Sequence, residues 1–384
     1  MSSFIEEVVI PAEARDVPGH GLDDALRSEL QDEAKQAGLF APHVDAEFGG
    51  LGLDHREQSI IFEEAGYSLL GPQALNCAAP DEGNMHMLSR IATAKQKEEY
   101  LRPLANGDIR SCFAMTEPAP GAGSDPAMLN STATKVAGGW SINGRKWFTT
   151  GANGAGFTIC MALTSERIEG GRGATMFLID SGNPGMQIER VIGASDRSFP
   201  GGHAELAFED CFVARDAVIG EVGEGYSYAQ VRLAPARLTH CMRWLGIARR
   251  ALDIALDHAS GRTAFGSSLV EQGQIQKMIA DSEIDIHSSR LMIWNCAWKL
   301  DMGENARNES SMAKVHVAEA VYRVVDRAIQ ICGSLGVSEE LPLSRFLNEV
   351  RPFRIYDGPS ETHIWAIARR SARQRTRDSG GNTR

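Results

Sequence analysis

The hydrophobic period changes twice along this chain, and that change constrains the fold more than any single motif. Up to about Arg110, apolar residues recur every three or four positions, as in LRSELQDEAKQAGLF and HREQSIIFEEAGYSLL, the spacing of amphipathic helices. APHVDAEFGGLGL between them is a Pro/Gly-punctuated loop, and TAKQKEEYLRPLANG is a further helical patch that stops at Gly107. From Ser111 to about Asp216 the period is two. GWSINGRKWFTT, GFTICMALT, ATMFLID, MQIERVIG and AELAFEDCFVA are short β-branched or aromatic runs set between Gly, Asn, Asp and Pro. Gly138-Gly139 and Asn143-Gly144 are turn-type dipeptides flanked by such runs. No run is followed by a helix-length segment, which disfavours a parallel dinucleotide-binding sheet. From Tyr226 the helical period returns in three long segments, then in SETHIWAIARRSARQ, which leads into a polar tail, SGGNTR, expected to be disordered.

The expected fold is therefore α+β: an N-terminal helical domain (1–110), a middle antiparallel β-barrel or sandwich domain (111–220) and a C-terminal four-helix bundle (221–384). A chain of 384 residues is long enough for several packed layers. Its net charge of −11 argues against nucleic-acid binding through a basic surface, and the basic end ARRSARQRTR reads as a solvated helix terminus. No apolar stretch reaches the ~20 residues of a membrane span. The start, MSSFIEEVVIPAEARD, lacks the basic head and apolar run of a secretory signal. Seven scattered cysteines, never in C-x-x-C spacing, read as buried thiols in a reducing, cytoplasmic setting. No histidine has the spacing of a metal-binding helix, so no metal site is expected.

Six segments carry a more specific message. They are EFGGLGL (Glu47–Leu53), FAMTEPAPGAGSD (Phe113–Asp125) followed by NGRKWFTTGA from Asn143, RTAFGSSL (Arg262–Leu269), QICGSLG (Gln330–Gly336) and RIYDGPSETH (Arg354–His363). In this order they resemble the acyl-CoA dehydrogenase family over nearly the whole chain. Within the family, RLAPARLTHCMR and DGPSETH are similar to segments of a subgroup, family members ten and eleven, that has aspartate where glutamate is usual.

The resemblance implies an FAD enzyme that removes the α-proton of an acyl-CoA thioester with a carboxylate and passes the β-hydrogen as hydride to the flavin, giving trans-2-enoyl-CoA. A base for so weak an acid must be close and desolvated, and the developing enolate oxygen needs donors. The residue aligned with the family's base is Asp357, whose arm is one methylene shorter than glutamate. Pattern alone reads Asp357 as a helix N-cap ahead of Pro359 and Ser360. Ala236 stands where some relatives carry the base, and it cannot act.

Arg237 matches an arginine beside base and thioester; there it would lower the carboxyl's pKa, whereas burial under an acyl chain would raise it. Tyr356, Gly358 and Ser124 join it as expected substrate contacts. Phe113, Met115 and Thr116 match the strand that lines the flavin ring, and Trp147 and Thr149 match the pair that covers and bonds to it. Ser124 also matches a loop position contacting flavin phosphates or the CoA arm, although Ala119 and Pro120 lengthen this loop by two residues. Arg262 and Phe265 match a helix–loop that reaches the FAD pyrophosphate of a neighbouring subunit. Gln330, Gly333 and Gly336 match the segment against which the adenosine packs, with Ser334 replacing a common glycine. Read without the family, the Gly-x-x-Gly is a helix C-cap.

Met85, Met87 and Trp244 read either as acyl-pocket lining or as core. His240 and His363 have no identifiable partner in the sequence and read as packing histidines with a role in substrate polarity. The resemblance further implies a homodimer or homotetramer and electron transfer to an electron-transfer flavoprotein. Two other readings remain: a flavin oxidase of the nitroalkane-oxidase type, which also uses an aspartate base, and a flavin-binding scaffold without catalysis.

Overall fold

The computed structural model describes residues 1–16, 22–168 and 172–380. The chain divides into two units, Met1–Leu53 with Leu69–Ala236, and Asp54–Ser68 with Arg237–Arg384.

In the first unit, helix α1 (Asp24–Gln36) starts where the Asp23 carboxylate accepts the Ala25 N–H, and it buries Leu26, Leu30 and Ala34, one per turn. Outside it, helix α2 (His55–Ala65) belongs to the second unit and opens with a capping box, Asp54 and Glu57 each accepting the other's backbone N–H. Helix α3 (Asp81–Ile91), back in the first unit, is buried along most of its first two turns; Met85 and Met87 both lie in the core.

Among the described residues, eight strands form one sheet: β1 (Ser111–Ala114), β2 (Thr132–Val136), β3 (Gly139–Thr150), β4 (Phe157–Ile168), β5 (Arg172–Asp180), β6 (Met186–Ile192), β7 (His203–Ala214) and β8 (Val218–Ile219). Period-two alternation puts Trp140 and Ile142, Cys160 and Ala162, Phe177 and Ile179, and Leu206 and Phe208 in one apolar cluster. Trp140 meets Phe177 edge-on, with centroids 5.8 Å apart.

Two details correct the expected antiparallel barrel. The strand path β6-β7-β3-β2-β4-β5-β8 does not close on itself among the described residues, and β1 lies parallel to β4, Ser111 opposite Phe157 and Ala114 opposite Cys160. The sheet is mixed because β1 and β4 are separated in sequence by the β2–β3 hairpin, a connection long enough to bring the chain back in the same direction. Gly138 makes the expected turn, with φ +83° between β2 and β3. Asn143-Gly144 does not turn at all: it is a bulge inside β3, where the register against β7 shifts and a Cβ on Gly144 would meet Ser131 Oγ at 2.3 Å.

The second unit contains α2, the later turns of helix α4 (Gly225–Gly261), and helices α5 (Gly273–Asp301), α6 (Arg307–Cys332), α7 (Leu343–Val350) and α8 (Ser360–Gly380). α5 packs on α6 and α2, and α6 also packs on α7 and α8. Backbone meets backbone where α2 ends: a Cβ on Gly246 of α4 would meet Glu63 O at 2.2 Å. Of the tail expected to be disordered, Ser379 and Gly380 are helical and 381–384 lie outside the described residues. No described helix is long and apolar enough to cross a membrane.

Candidate active site

In the second unit, the segment between Arg354 and Ser360 turns sharply. Asp357 has φ +53° and Gly358 φ +96°, two successive left-handed residues. Asp is one of the few side-chain-bearing residues that tolerate this region. Helix α8 begins at Ser360, and an N-cap needs extended backbone, so the N-cap reading of Asp357 is set aside.

Side chains from three helices fasten the turn by its carbonyls. Arg237 Nε of α4 donates to Asp357 O at 2.9 Å, and His363 Nε2 of α8 reaches the same oxygen at 3.0 Å. Lys314 Nζ of α6 donates to Gly358 O at 2.7 Å. Glu319 of α6 brackets the segment, accepting from Arg354 Nε and Ser360 Oγ, each at 2.9 Å. A Cβ on Gly358 would meet His363 Nε2 at 2.7 Å, so the glycine serves both conformation and closeness.

Burial dominates the protonation of both supports. It pushes Lys314 down to about 8, against the pull of Cys241 and Asp357, and it pushes His363 down to about 4. His363 is therefore neutral near pH 7, with its hydrogen on the Nε2 that faces the carbonyl.

The Asp357 side chain is 16% exposed, and its Oδ2 lies 3.5 Å from His240 Nε2. The His240 ring faces Tyr356 at 4.8 Å and Phe353 at 5.7 Å. Trp244 Nε1 donates to Tyr356 OH at 2.5 Å, and that oxygen is 3.5 Å from His240 Nδ1. The expectation that His240 and His363 lack partners is thus corrected: one faces the Asp357 carboxylate and the other holds its carbonyl. Spacing could not reveal the His240 contact, because Asp357 is remote along the chain, whereas the His363 contact spans six residues and depends on the left-handed turn between them.

The first unit brings together the residues expected at the flavin ring. Trp147 N–H donates to Thr116 O at 3.0 Å, and Lys146 Nζ donates to Met115 O at 3.1 Å, tying β3 to the strand after Phe113. Lys146 also pairs with Glu117 at 2.8 Å, their side chains 0% and 2% exposed. Glu117 in turn accepts the N–H groups of Ala122, Asn130 and Ser131. Burial raises its pKa, yet Lys146 and the Ser131 bond outweigh it and hold the carboxyl below its usual range. The Glu117–Lys146 pair was missed in the sequence; its signal is two charges placed in runs otherwise patterned as strand. The added Ala119 and Pro120 fall at the exposed tip of a loop closed by Glu117 N–H to Ala122 O, and Ser124 is exposed beyond it.

A second bulge aims the β3 residues. Phe148 has φ +47°, and the register against β7 shifts between Lys146 and Thr149. Three residues apart on a regular strand, these two would face opposite ways; the extra residue lets both point inward, where both are buried. Thr149 Oγ1 is buried with no hydrogen-bond partner among the described residues, the mark of a site built for a group from outside the chain. Beside this, Arg232 of the first turns of α4 lies over the Phe113 ring at 4.2 Å and donates to Asn84 Oδ1 at 2.7 Å.

The remaining expected contacts lie in the second unit. After Arg262, strands β9 (Thr263–Ala264) and β10 (Ser267–Ser268) form a hairpin whose two turn residues, Phe265 and Gly266, have φ +53° and +87°. Phe265 at its tip is 97% exposed. Gly333, with φ +61°, is the C-cap of α6 that the pattern alone implies, while Gly336 sits so close that a Cβ would meet Ile329 O at 2.4 Å. Gln330 and Gly333 are exposed and Gly336 is buried.

Residues 1–108, 112–211 and 223–372 match the models of the acyl-CoA dehydrogenase N-terminal, middle and C-terminal domains. The protein named probable acyl-CoA dehydrogenase FadE2, from Mycobacterium tuberculosis, is 39% identical over 96% of this chain and 93% of its own. Mouse acyl-CoA dehydrogenase family member 10 is 36% identical over 97% of this chain, which spans 36% of that longer protein. Among solved structures, an acyl-CoA dehydrogenase homologue from Mycobacterium abscessus superposes with a TM-score of 0.89 at 35% identity, covering 97% of this chain and 96% of that one. Butyryl-CoA dehydrogenase from Megasphaera elsdenii gives 0.86 at 28% (96% and 94% covered), and the FAD complex of PigA 0.85 at 26% (97% and 95%). Matched by all three domain models and by a 39%-identical relative covered over 93% of its length, the chain belongs to the acyl-CoA dehydrogenase family.

Proposed function

We propose that this protein is an FAD-dependent dehydrogenase that converts an acyl-CoA thioester to trans-2-enoyl-CoA, with Asp357 taking the α-proton. The observation that carries the reading is the Asp357 turn: a carboxylate on a left-handed backbone fastened by Arg237, His363 and Lys314. Such fastening suits a short base, whose oxygen must come within ~3 Å of the carbon it deprotonates and has little reach of its own.

Arg237 acts here through the backbone of Asp357, holding the turn while Tyr356 and Gly358 flank the thioester. The Asp357 N–H donates to the thioester oxygen as enolate character develops. Ser124, exposed on its loop, is placed for the CoA arm.

The first unit's residues suit FAD: Phe113, Met115 and Thr116 along the ring, Trp147 over it, and the unsatisfied Thr149 hydroxyl as a bonding partner. Bound FAD would supply the acceptor for the β-hydrogen. Arg262 and Phe265 would reach the pyrophosphate bound by a neighbouring subunit, with Gln330, Gly333 and Gly336 against the adenosine. Phe265, 97% exposed at the hairpin tip, is open to such a partner, and the reading implies a homodimer or homotetramer. Electrons leave to an electron-transfer flavoprotein, and seven buried free thiols suit a cytoplasmic home.

The test is anaerobic titration with a panel of acyl-CoAs, following flavin absorbance. Bleaching by one chain type, with slow recovery in air, is the expected result. Rapid recovery with peroxide release would instead identify an oxidase, and no bleaching by any thioester a flavin-binding scaffold.

A further inference from the structure

We propose that His240 is a positioning residue that aims the Asp357 carboxylate, through a directional chain that begins at Trp244. The proposal rests on Asp357 being the base and adds how so short an acid is held in aim.

The direction of the chain follows from its far end. An indole nitrogen can only donate, so at the 2.5 Å contact Tyr356 OH is the acceptor. The tyrosine's own hydrogen is then available to His240 Nδ1, 3.5 Å away. An imidazole that accepts at Nδ1 carries its hydrogen on Nε2 when neutral, and Nε2 faces Asp357 Oδ2 at 3.5 Å. The sequence Trp244 to Tyr356 to His240 thus brings an N–H to within 3.5 Å of one buried carboxylate oxygen, a contact that is not yet a hydrogen bond. On this proposal the N–H closes on Oδ2 in the working complex, and Oδ1 takes the α-proton.

The imidazole is itself held. His240 is buried on α4, one turn beyond Arg237, with its ring against Tyr356 and Phe353. In the reaction the α-C–H bond breaks and its proton forms an O–H bond at Oδ1, while the electron pair enters the new Cα–Cβ double bond. Bound FAD would supply the acceptor for the β-hydrogen and its electron pair. The proposal requires no proton transfer to or from His240.

Other charged or titratable groups pack around the same turn: Arg237 on α4, Lys314 and Glu319 on α6, Arg354 just before it and His363 on α8, with Tyr356 and Cys241 nearby. Any shift in the pH profile must therefore be read as a difference between variants that leave these groups in place.

Three measurements on the full-length holoenzyme test the proposal. His240→Phe keeps the aromatic packing and removes the donor, whereas His240→Gln restores an N–H near the position of Nε2. The expected result is a 10- to 100-fold loss of kcat in His240→Phe with KM little changed. The acid limb of its kcat profile should also move up by about one pH unit, because a hydrogen bond to the ionised carboxylate is gone. His240→Gln should recover to within several-fold of wild type. Nitrogen-15 NMR of the His240 ring, a readout independent of turnover, should show the Nε2–H form; in Asp357→Asn its titration midpoint should fall by about one unit.

Equal losses in the Phe and Gln variants, an Nδ1–H tautomer, or an unmoved midpoint would each overturn the positioning role. Full α-proton exchange in Asp357→Asn would instead overturn the assignment of the base, so the two failures are distinguishable.

Discussion

Two non-glycine residues in left-handed backbone, Phe148 in the first unit and Asp357 in the second, sit at the two places where side chains must be aimed, yet the protein holds them differently. At Phe148 the distortion is written into a strand ladder. A register shift rotates Lys146 and Thr149 to the same side, and a buried ion pair to Glu117 locks the result. At Asp357 no ladder is available, so arginine, lysine and histidine from three helices grip two adjacent carbonyls. A strand can aim a side chain by parity alone, whereas a turn needs external grips, and those grips bring titratable groups to the site.

The comparison can be broken most forcefully at its ladder end. Glu117→Gln leaves Lys146 charged and buried without its counter-ion, and Lys146→Met strands the carboxylate; each should cost about 3–5 kcal/mol in denaturant unfolding and weaken flavin retention. The double change Glu117→Gln/Lys146→Met should recover part of that loss. Equal stability of Glu117→Gln and wild type would show that the pair does not hold the bulge.

The turn end should instead respond to acid. His363 titrates at about 4 in the folded chain against 6.5 in the unfolded one. Above 6.5 it is neutral in both states and adds no slope. As pH falls from 6.5 to 4 the unfolded chain takes the proton first, so stability declines across that window. Thermal unfolding between pH 7 and 4 should show a shallower decline in His363→Gln than in wild type, and identical curves would remove His363 from the account.

A smaller effect sharpens the contrast. Phe148→Gly relieves a left-handed backbone worth ~1–2 kcal/mol but adds chain entropy of ~0.5–1 kcal/mol, so its stability should stay within about 1 kcal/mol of wild type. A loss of several kcal/mol would mean that the exposed ring, rather than the register shift, maintains the bulge.

Much of this was legible in the sequence because it is local. Change of period separates helical from sheet segments, since side chains repeat every 3.6 residues on one and every two on the other. The motif residues Phe113 to Thr116 and Trp147 to Thr149 lie on chain segments that pair directly, and the structure brings them together. What was not legible depends on pairing at a distance. A four-residue run such as Ser111–Ala114 does not say which strand it will lie beside or in which direction. Asn143-Gly144 has the composition of a turn, but tertiary pairing with β7 draws it through as a bulge. The contact of His240 depends on how helices pack around Asp357, which no spacing along the chain encodes, and that of His363, six residues from Asp357, depends on a left-handed turn that composition does not reveal.

The central assignment is that Asp357 removes the α-proton. Its most direct measurement is hydrogen–deuterium exchange at Cα of a bound, non-oxidisable acyl-CoA analogue in heavy water, comparing wild type with Asp357→Asn at equal flavin content. We predict exchange in wild type and a loss of about 10³-fold or more in the variant, beyond the 10²–10⁴-fold range of a positioned base's contribution only if the amide also misaligns the site. Exchange at the wild-type rate in Asp357→Asn would contradict the assignment.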